Sequence, residues 1–182
     1  MNHFGILILF LLWNSIHGFS QTDEEKTSGI YYKFSLATTL TINEYYNVFE
    51  DDGETLLNPS ALFVNNTIGY QFDQRSIIGL NFEYDWHSQQ GLHFFPTYLS
   101  FQYNIIAKDD NMFIRGGYGT LLGLGSSFEK GNIYKFGLGA QIFDNNFRNS
   151  FLIGLDFTRK RFGYKTLEGL SSVSIFVEFM LF

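Results

Sequence analysis

Between Ser76 and Ser88 the chain reads SIIGLNFEYDWHS, and every second residue from Ile78 is large and apolar: Ile78, Leu80, Phe82, Tyr84 and Trp86. The positions between them are Gly79, Asn81, Glu83, Asp85 and His87. A period of two puts these sets on opposite faces of an extended strand. The same alternation fills most of the chain. Ile30–Ile42 sets Ile30, Tyr32, Phe34, Leu36, Leu40 and Ile42 against Lys33, Ser35, Ala37, Thr39 and Thr41. Ala61–Phe72 sets Leu62, Val64, Ile68, Tyr70 and Phe72 against Asn65, Thr67, Gly69 and Gln71. In Phe95–Ile105 the apolar phase holds Phe95, Leu99, Phe101, Tyr103 and Ile105, and the other phase holds Tyr98, Ser100, Gln102 and Asn104.

The second half repeats the pattern. Met112–Leu124 places Met112, Ile114, Tyr118, Leu122 and Leu124 opposite Arg115, Gly117, Gly119 and Gly123. Tyr134–Ile142 places Tyr134, Phe136, Leu138 and Ile142 opposite Lys135, Gly137, Gly139 and Gln141. Phe151, Ile153, Leu155 and Phe157 alternate with Gly154, Asp156 and Thr158, and Val173, Ile175, Val177, Phe179 and Leu181 alternate with Ser172, Ser174 and Glu178. Eight such segments of about ten residues, with no helical period after the first twenty residues, predict an all-β chain. Short connections (DQRS, AKDDN, DNNFRN) alternate with longer ones such as EYYNVFEDDGETLLNPS and RKRFGYKTLEG, so turns gather at one end and loops at the other. Both termini fall at the turn end.

Alternation alone does not say which face points inward, because a soluble eight-stranded carrier turns its apolar face to the centre. Volume argues the reverse here. With 22 phenylalanines and 11 tyrosines, the apolar phase would overpack so narrow an interior, whereas the glycines, serines and threonines opposite suit it. Charge argues the same way. Lys33, Glu83, Arg115, Lys135, Asp156 and Glu178 share the polar phase, three of each sign. A base at mid-strand facing hydrocarbon costs roughly 2–4 kcal/mol, while inward groups of opposite sign can pair in a lumen charge network. Aromatic residues of the apolar phase also collect at segment ends: Tyr32, Tyr70 and Phe72 at the turn end, and Tyr84, Trp86, Phe95 and Tyr134 at the loop end. Belts of this kind mark membrane–water interfaces. The prediction is a transmembrane antiparallel up-and-down β-barrel of about eight strands, closed because hydrocarbon tolerates no unpaired sheet edge.

That architecture, with the terminal FVEFMLF, resembles the small outer-membrane barrels of the OmpA and OmpX type and aromatic-rich barrels of the Bacteroidota. The resemblance covers nearly all the chain after its first twenty residues. It implies an address in the outer membrane of a Gram-negative cell, contact with outer-membrane lipid, and recognition of Phe182 by the barrel assembly machinery. Phe182 stands in the opposite phase to Val173–Leu181, a departure from the usual terminal pattern.

Composition sharpens this picture at two points. A net charge of −6 leaves no basic face for phosphates, so nucleic acid is not an expected partner. The first stretch, MNHFGILILFLLWNSIHGFSQ, is apolar from Phe4 to Trp13 and then small or polar, which predicts a signal peptide over 1–20 and a barrel domain over 21–182. No cysteine is present, so there is neither a lipid-modified cysteine nor a disulfide.

Little of the sequence predicts chemistry. GGYGTLLGLG lacks the helix that a phosphate loop needs, and its inward glycines are better read as room for Arg115 or large neighbours. EDDGET (50–55) lacks the ligand spacing of a calcium loop and reads as a solvated loop. The EYDWHS…H run brings Glu83, Asp85, His87, Ser88 and His93 toward the loop rim. Some barrels that resemble this one modify lipid A with a Ser-His-acid site, which makes His87, Ser88 and Glu83 the catalytic candidates. Consecutive strand residues face opposite ways, however, which opposes a His87–Ser88 pair. No cofactor or metal is expected. The expected role is structural or interactive, with a lumen plugged by charge and outer loops meeting a partner of unknown identity. A lipid A-modifying enzyme and a narrow pore are the alternatives.

Overall fold

The computed structural model describes residues 28–42, 57–88, 91–107, 110–125, 128–144, 149–164 and 167–182. The expected signal, its junction and the EDDGET loop lie outside the described residues. Among the described residues nine strands follow in order: β1 (Gly29–Ile42), β2 (Leu57–Gln71), β3 (Ser76–His87), β4 (Leu92–Phe94), β5 (Pro96–Ala107), β6 (Asp110–Leu121), β7 (Gly131–Phe143), β8 (Asn149–Tyr164) and β9 (Leu167–Leu181). Neighbouring strands pair antiparallel in the order β2, β1, β9, β8, β7, β6, β5, β3, and a β2–β3 ladder closes the ring.

The closed wall nevertheless has eight staves, as the alternation predicts. Phe82 stands opposite Thr97 and Asp85 opposite Phe94, so β4 and β5 continue one line in one register. They part at Phe95–Pro96, where proline brings no N–H to the ladder. The short connections are where the sequence puts them, between β2 and β3, β5 and β6, and β7 and β8. In the first of these, Asp73 Oδ1 accepts the backbone N–H of Arg75 at 2.7 Å and of Ser76 at 2.6 Å. These bonds hold the Asp73 carboxyl below its ordinary pKa.

Two expectations about the loop end are corrected. RKRFGYKTLEG is not a long loop, because β8 runs to Tyr164 and β9 starts at Leu167, with a register shift between Arg161 and Tyr164. Its cross-strand ladder satisfies the backbone through Lys160–Leu170 and Arg161–Gly169. Conversely, the fifth segment stops at Leu121 rather than Leu124, where the polypeptide leaves the ladder toward Gly125.

Side chains sort by phase. Phe82, Trp86 and Phe136 are 38%, 46% and 50% exposed, and most of the described apolar phase is exposed with them. Few soluble monomers show contiguous apolar patches beyond a few hundred Å², and here such a band encircles the barrel. It is the outward face of a barrel that crosses hydrocarbon.

The interior departs from the expectation of small and ionic residues alone. Tyr31, Phe63, Ile77, Phe113, Phe176 and Met180 belong to one buried cluster, and Leu92, Phe94, Tyr98, Leu121, Ile133 and Phe162 form a second. Glycines let them in. A Cβ at Gly79 would lie 2.7 Å from the Tyr31 hydroxyl, and one at Gly139 would lie 2.8 Å from the Phe113 ring. Thinning the wall at those points gives large rings a place in a lumen otherwise too narrow for them. Phe182 packs against the first cluster, its ring edge-on to Tyr31 at 6.3 Å. Its odd phase therefore has a physical reason: it turns the ring inward onto that cluster.

Candidate functional site

The six ionic residues singled out by phase all project into the lumen, and they meet. Arg115 on β6 donates from Nε and Nη2 to the two carboxylate oxygens of Asp156 at 2.9 and 2.7 Å. Its third nitrogen, Nη1, reaches Glu178 on β9 at 2.6 Å. One guanidinium thus holds two acids, using the planar fork that only arginine offers. Lys33 on β1 stands 3.6 Å from the other oxygen of Glu178. Lys135 on β7 bonds Glu83 on β3 at 2.5 Å and lies 3.5 Å from Asp156.

A further pair was not read from the sequence as part of this set. Lys160 on β8 forms an ion pair with Asp85 on β3, Nζ to Oδ2 at 2.8 Å, and both are buried. β3 and β8 lie four staves apart in either direction around the ring, so this bridge crosses the full width of the lumen. With it the interior ions become four cations (Lys33, Arg115, Lys135, Lys160) and four anions (Glu83, Asp85, Asp156, Glu178). The signal for Lys160 is present in TRKRF, where it shares the phase of Asp156 and Thr158 while Arg159 and Arg161 take the opposite one. Asp85 likewise shares the phase of Glu83.

Aromatic rings and neutral polar groups complete the belt. The Arg115 guanidinium carbon lies 3.9 Å from the Phe176 ring centre, and the Lys160 ammonium lies 4.7 and 5.1 Å from Phe63 and Phe94. Tyr98 donates its hydroxyl to Glu83 at 3.0 Å. Asn81 accepts from Thr67 at 2.7 Å and donates to Ser100 at 2.8 Å. A buried charge is tolerated only where pairing and hydrogen bonds replace its hydration; each of these ions is paired, and Asp85 has its ion pair with Lys160 alone, neither carboxylate oxygen taking a hydrogen bond. The cavity bordered by Lys33, Asn81, Tyr98, Ser100, Arg115 and Lys135 measures about 10 Å³, the room of a single water.

The catalytic candidates are not brought together. His87 points inward, boxed by Phe63 and Phe94 with ring centres 5.4 Å away, and its Nε2 lies 3.2 Å from the Lys160 ammonium. Ser88 is exposed in the turn and gives its hydroxyl to the Ser60 carbonyl at 3.0 Å. Glu83 is held by Lys135 and Tyr98 rather than by His87. His93 faces the other way, its Nδ1 bonded to the Tyr84 hydroxyl at 2.9 Å. A nucleophile, its base and the orienting acid must form one chain of hydrogen bonds, and here the barrel wall separates them. Among the described residues no group of His, Asp and Glu is placed to hold a metal ion.

No protein-family model matches this chain. No curated protein matches its sequence. Its fold does match solved structures. Neisserial surface protein A superposes with a TM-score of 0.61 at 7% identity, over 85% of this chain and 97% of that one. The N-terminal β-barrel domain of Pseudomonas aeruginosa OprF superposes with a TM-score of 0.51 at 11% identity, over 84% of this chain and 97% of the domain. The chain therefore has the fold of the small eight-stranded outer-membrane barrels, reached with little sequence in common.

Proposed function

We propose that this protein is an integral barrel of a Gram-negative outer membrane with a structural or interaction role, its lumen closed by the charge belt. The observation that carries the reading is the pair of bridges, Lys135–Glu83 and Lys160–Asp85, that tie β3 to the far wall. An eight-stranded ring has an interior that side chains just fill, and here ions and rings fill it. Such a barrel is a rigid membrane-embedded stand for whatever its outer loops present. Export by the N-terminal segment and insertion by the barrel assembly machinery belong to the same proposal. The likeness to the neisserial and pseudomonad barrels supports it at the level of fold.

Three measurements on the refolded full chain test it. The protein should partition into detergent, and its gel mobility should shift on boiling. In planar bilayers it should give no stable open-channel current. A large, steady conductance would overturn the closed lumen, and failure to partition would overturn the membrane reading.

A further inference from the structure

The bases on the strands divide sharply by direction. Lys33, Arg115, Lys135 and Lys160 point into the lumen, whereas Arg159 and Arg161 are exposed on the outer surface of β8. Among the described residues no other strand carries Lys or Arg on its outward face. The outward apolar row of β8, Phe151 to Phe157, ends directly below them toward the loop end. Neither guanidinium has a carboxylate within ion-pair distance among the described residues. Arg159 donates one bond, from Nη1 to the Ser171 hydroxyl at 2.9 Å, which fixes its direction and leaves other N–H groups free.

Beneath Arg159 lies a groove of about 500 Å³ on the outer wall, lined by Tyr134, Phe136, Phe157, Arg159, Ser171 and Val173. That size falls within the ~300–1,000 Å³ usual for ligand sites. Its lower walls are apolar and its loop-end rim is basic. Tyr134 stands cross-strand from Arg159 on β7, and Ser171 does so on β9, so the polarity changes within one residue row. The occupant must be apolar at one end and anionic at the other. Arginine forks match phosphate oxygens in pairs, and their stems can lie along apolar surface while the charge stays at the headgroup level.

We infer that the outer wall of β7–β9 is a binding site for an anionic phospholipid, its acyl chain in the groove and its phosphate on Arg159 and Arg161. This rests on the membrane reading above. The test uses the full chain in detergent micelles, with phosphatidylglycerol and phosphatidylcholine of equal chain length competed and counted by native mass spectrometry. Retention should favour phosphatidylglycerol by roughly five- to thirtyfold, the scale of one to two bases at a lipid surface. Arg159→Gln with Arg161→Gln should bring the ratio near one while the heat-dependent gel shift persists, and Val173→Trp, which fills the groove, should reduce retention of both lipids. Arg75→Gln, at the turn end, should change neither. Equal retention by the native chain, an unaltered preference in the double variant, or equally tight binding of glycerol phosphate alone would overturn the site. Loss of detergent partition and of the gel shift would instead overturn the membrane reading itself.

Discussion

At the scale of single residues, the lumen belt makes each ion depend on its partners. Arg115 holds two carboxylates, so Arg115→Ala leaves Asp156 and Glu178 with reduced compensation in a site nearly closed to water. Removing one partner of a buried pair costs about 3–5 kcal/mol. Urea unfolding in detergent should show a loss of that order, and Arg115→Glu should be worse; an unchanged midpoint would mean the ions are not paired in the membrane. The Lys160–Asp85 bridge gives a sharper version. Lys160→Met strands the Asp85 carboxylate among Phe63, Phe94 and His87, whereas adding Asp85→Leu removes the stranded charge. The double variant should therefore be more stable than the single one, and a strictly additive loss in a double-mutant cycle would deny the bridge. These partners lie far apart in the chain, 52 residues for Lys135–Glu83 and 63 for Arg115–Glu178. Phase could tell which residues face inward, but only closure of the ring tells which of them touch.

At the scale of strands, period-two patterning made direction legible almost everywhere, since a one-residue slip would turn every apolar side chain inward. Strand ends were harder. Leu122 and Leu124 keep the alternation of β6 although the ladder has ended, and RKRF looks like a loop because its charges serve two opposite faces. The large inward rings were also hidden, because alternation records polarity and not the glycines on nearby staves that admit a ring. Those glycines give a direct test. Gly119→Val would press against the Thr97 carbonyl and the Tyr98 backbone, so thermal stability should fall by about 1–3 kcal/mol, the usual cost of overpacking. Retained stability would show that the wall can bulge there. The β2–β3 turn yields a pH test. Because the folded carboxyl of Asp73 titrates below its unfolded value, its stabilisation is full above the unfolded pKa and fades as pH falls through the folded one. Asp73→Ala should lower the melting temperature at neutral pH and make no difference in strong acid. A loss that persisted in acid would assign the effect to something other than the carboxylate.

At the scale of the whole molecule, the exterior and interior exchange the roles they have in a soluble protein, and each face explains the other. Eight staves enclose too little volume for all the aromatic residues, so most of them turn outward, and that outward band excludes water only if lipid covers it. The ions are then confined to the lumen, where equal numbers of each sign can neutralise one another. This inversion can be read with the protein's own fluorescence. The chain has two tryptophans, Trp13 within the expected signal and Trp86 on the outward face of β3 toward its loop end. A chain beginning at Gln21 therefore reports Trp86 alone. In bilayers whose acyl chains carry bromine, emission should be quenched, and more strongly for bromine near the headgroup than near the chain end, because Trp86 stands at the loop end of the apolar band beside Tyr84. Acrylamide dissolved in the water should quench it weakly by comparison. If acrylamide quenched strongly and bromine did not, Trp86 would face water, and the outward orientation of the entire apolar phase would fall with it.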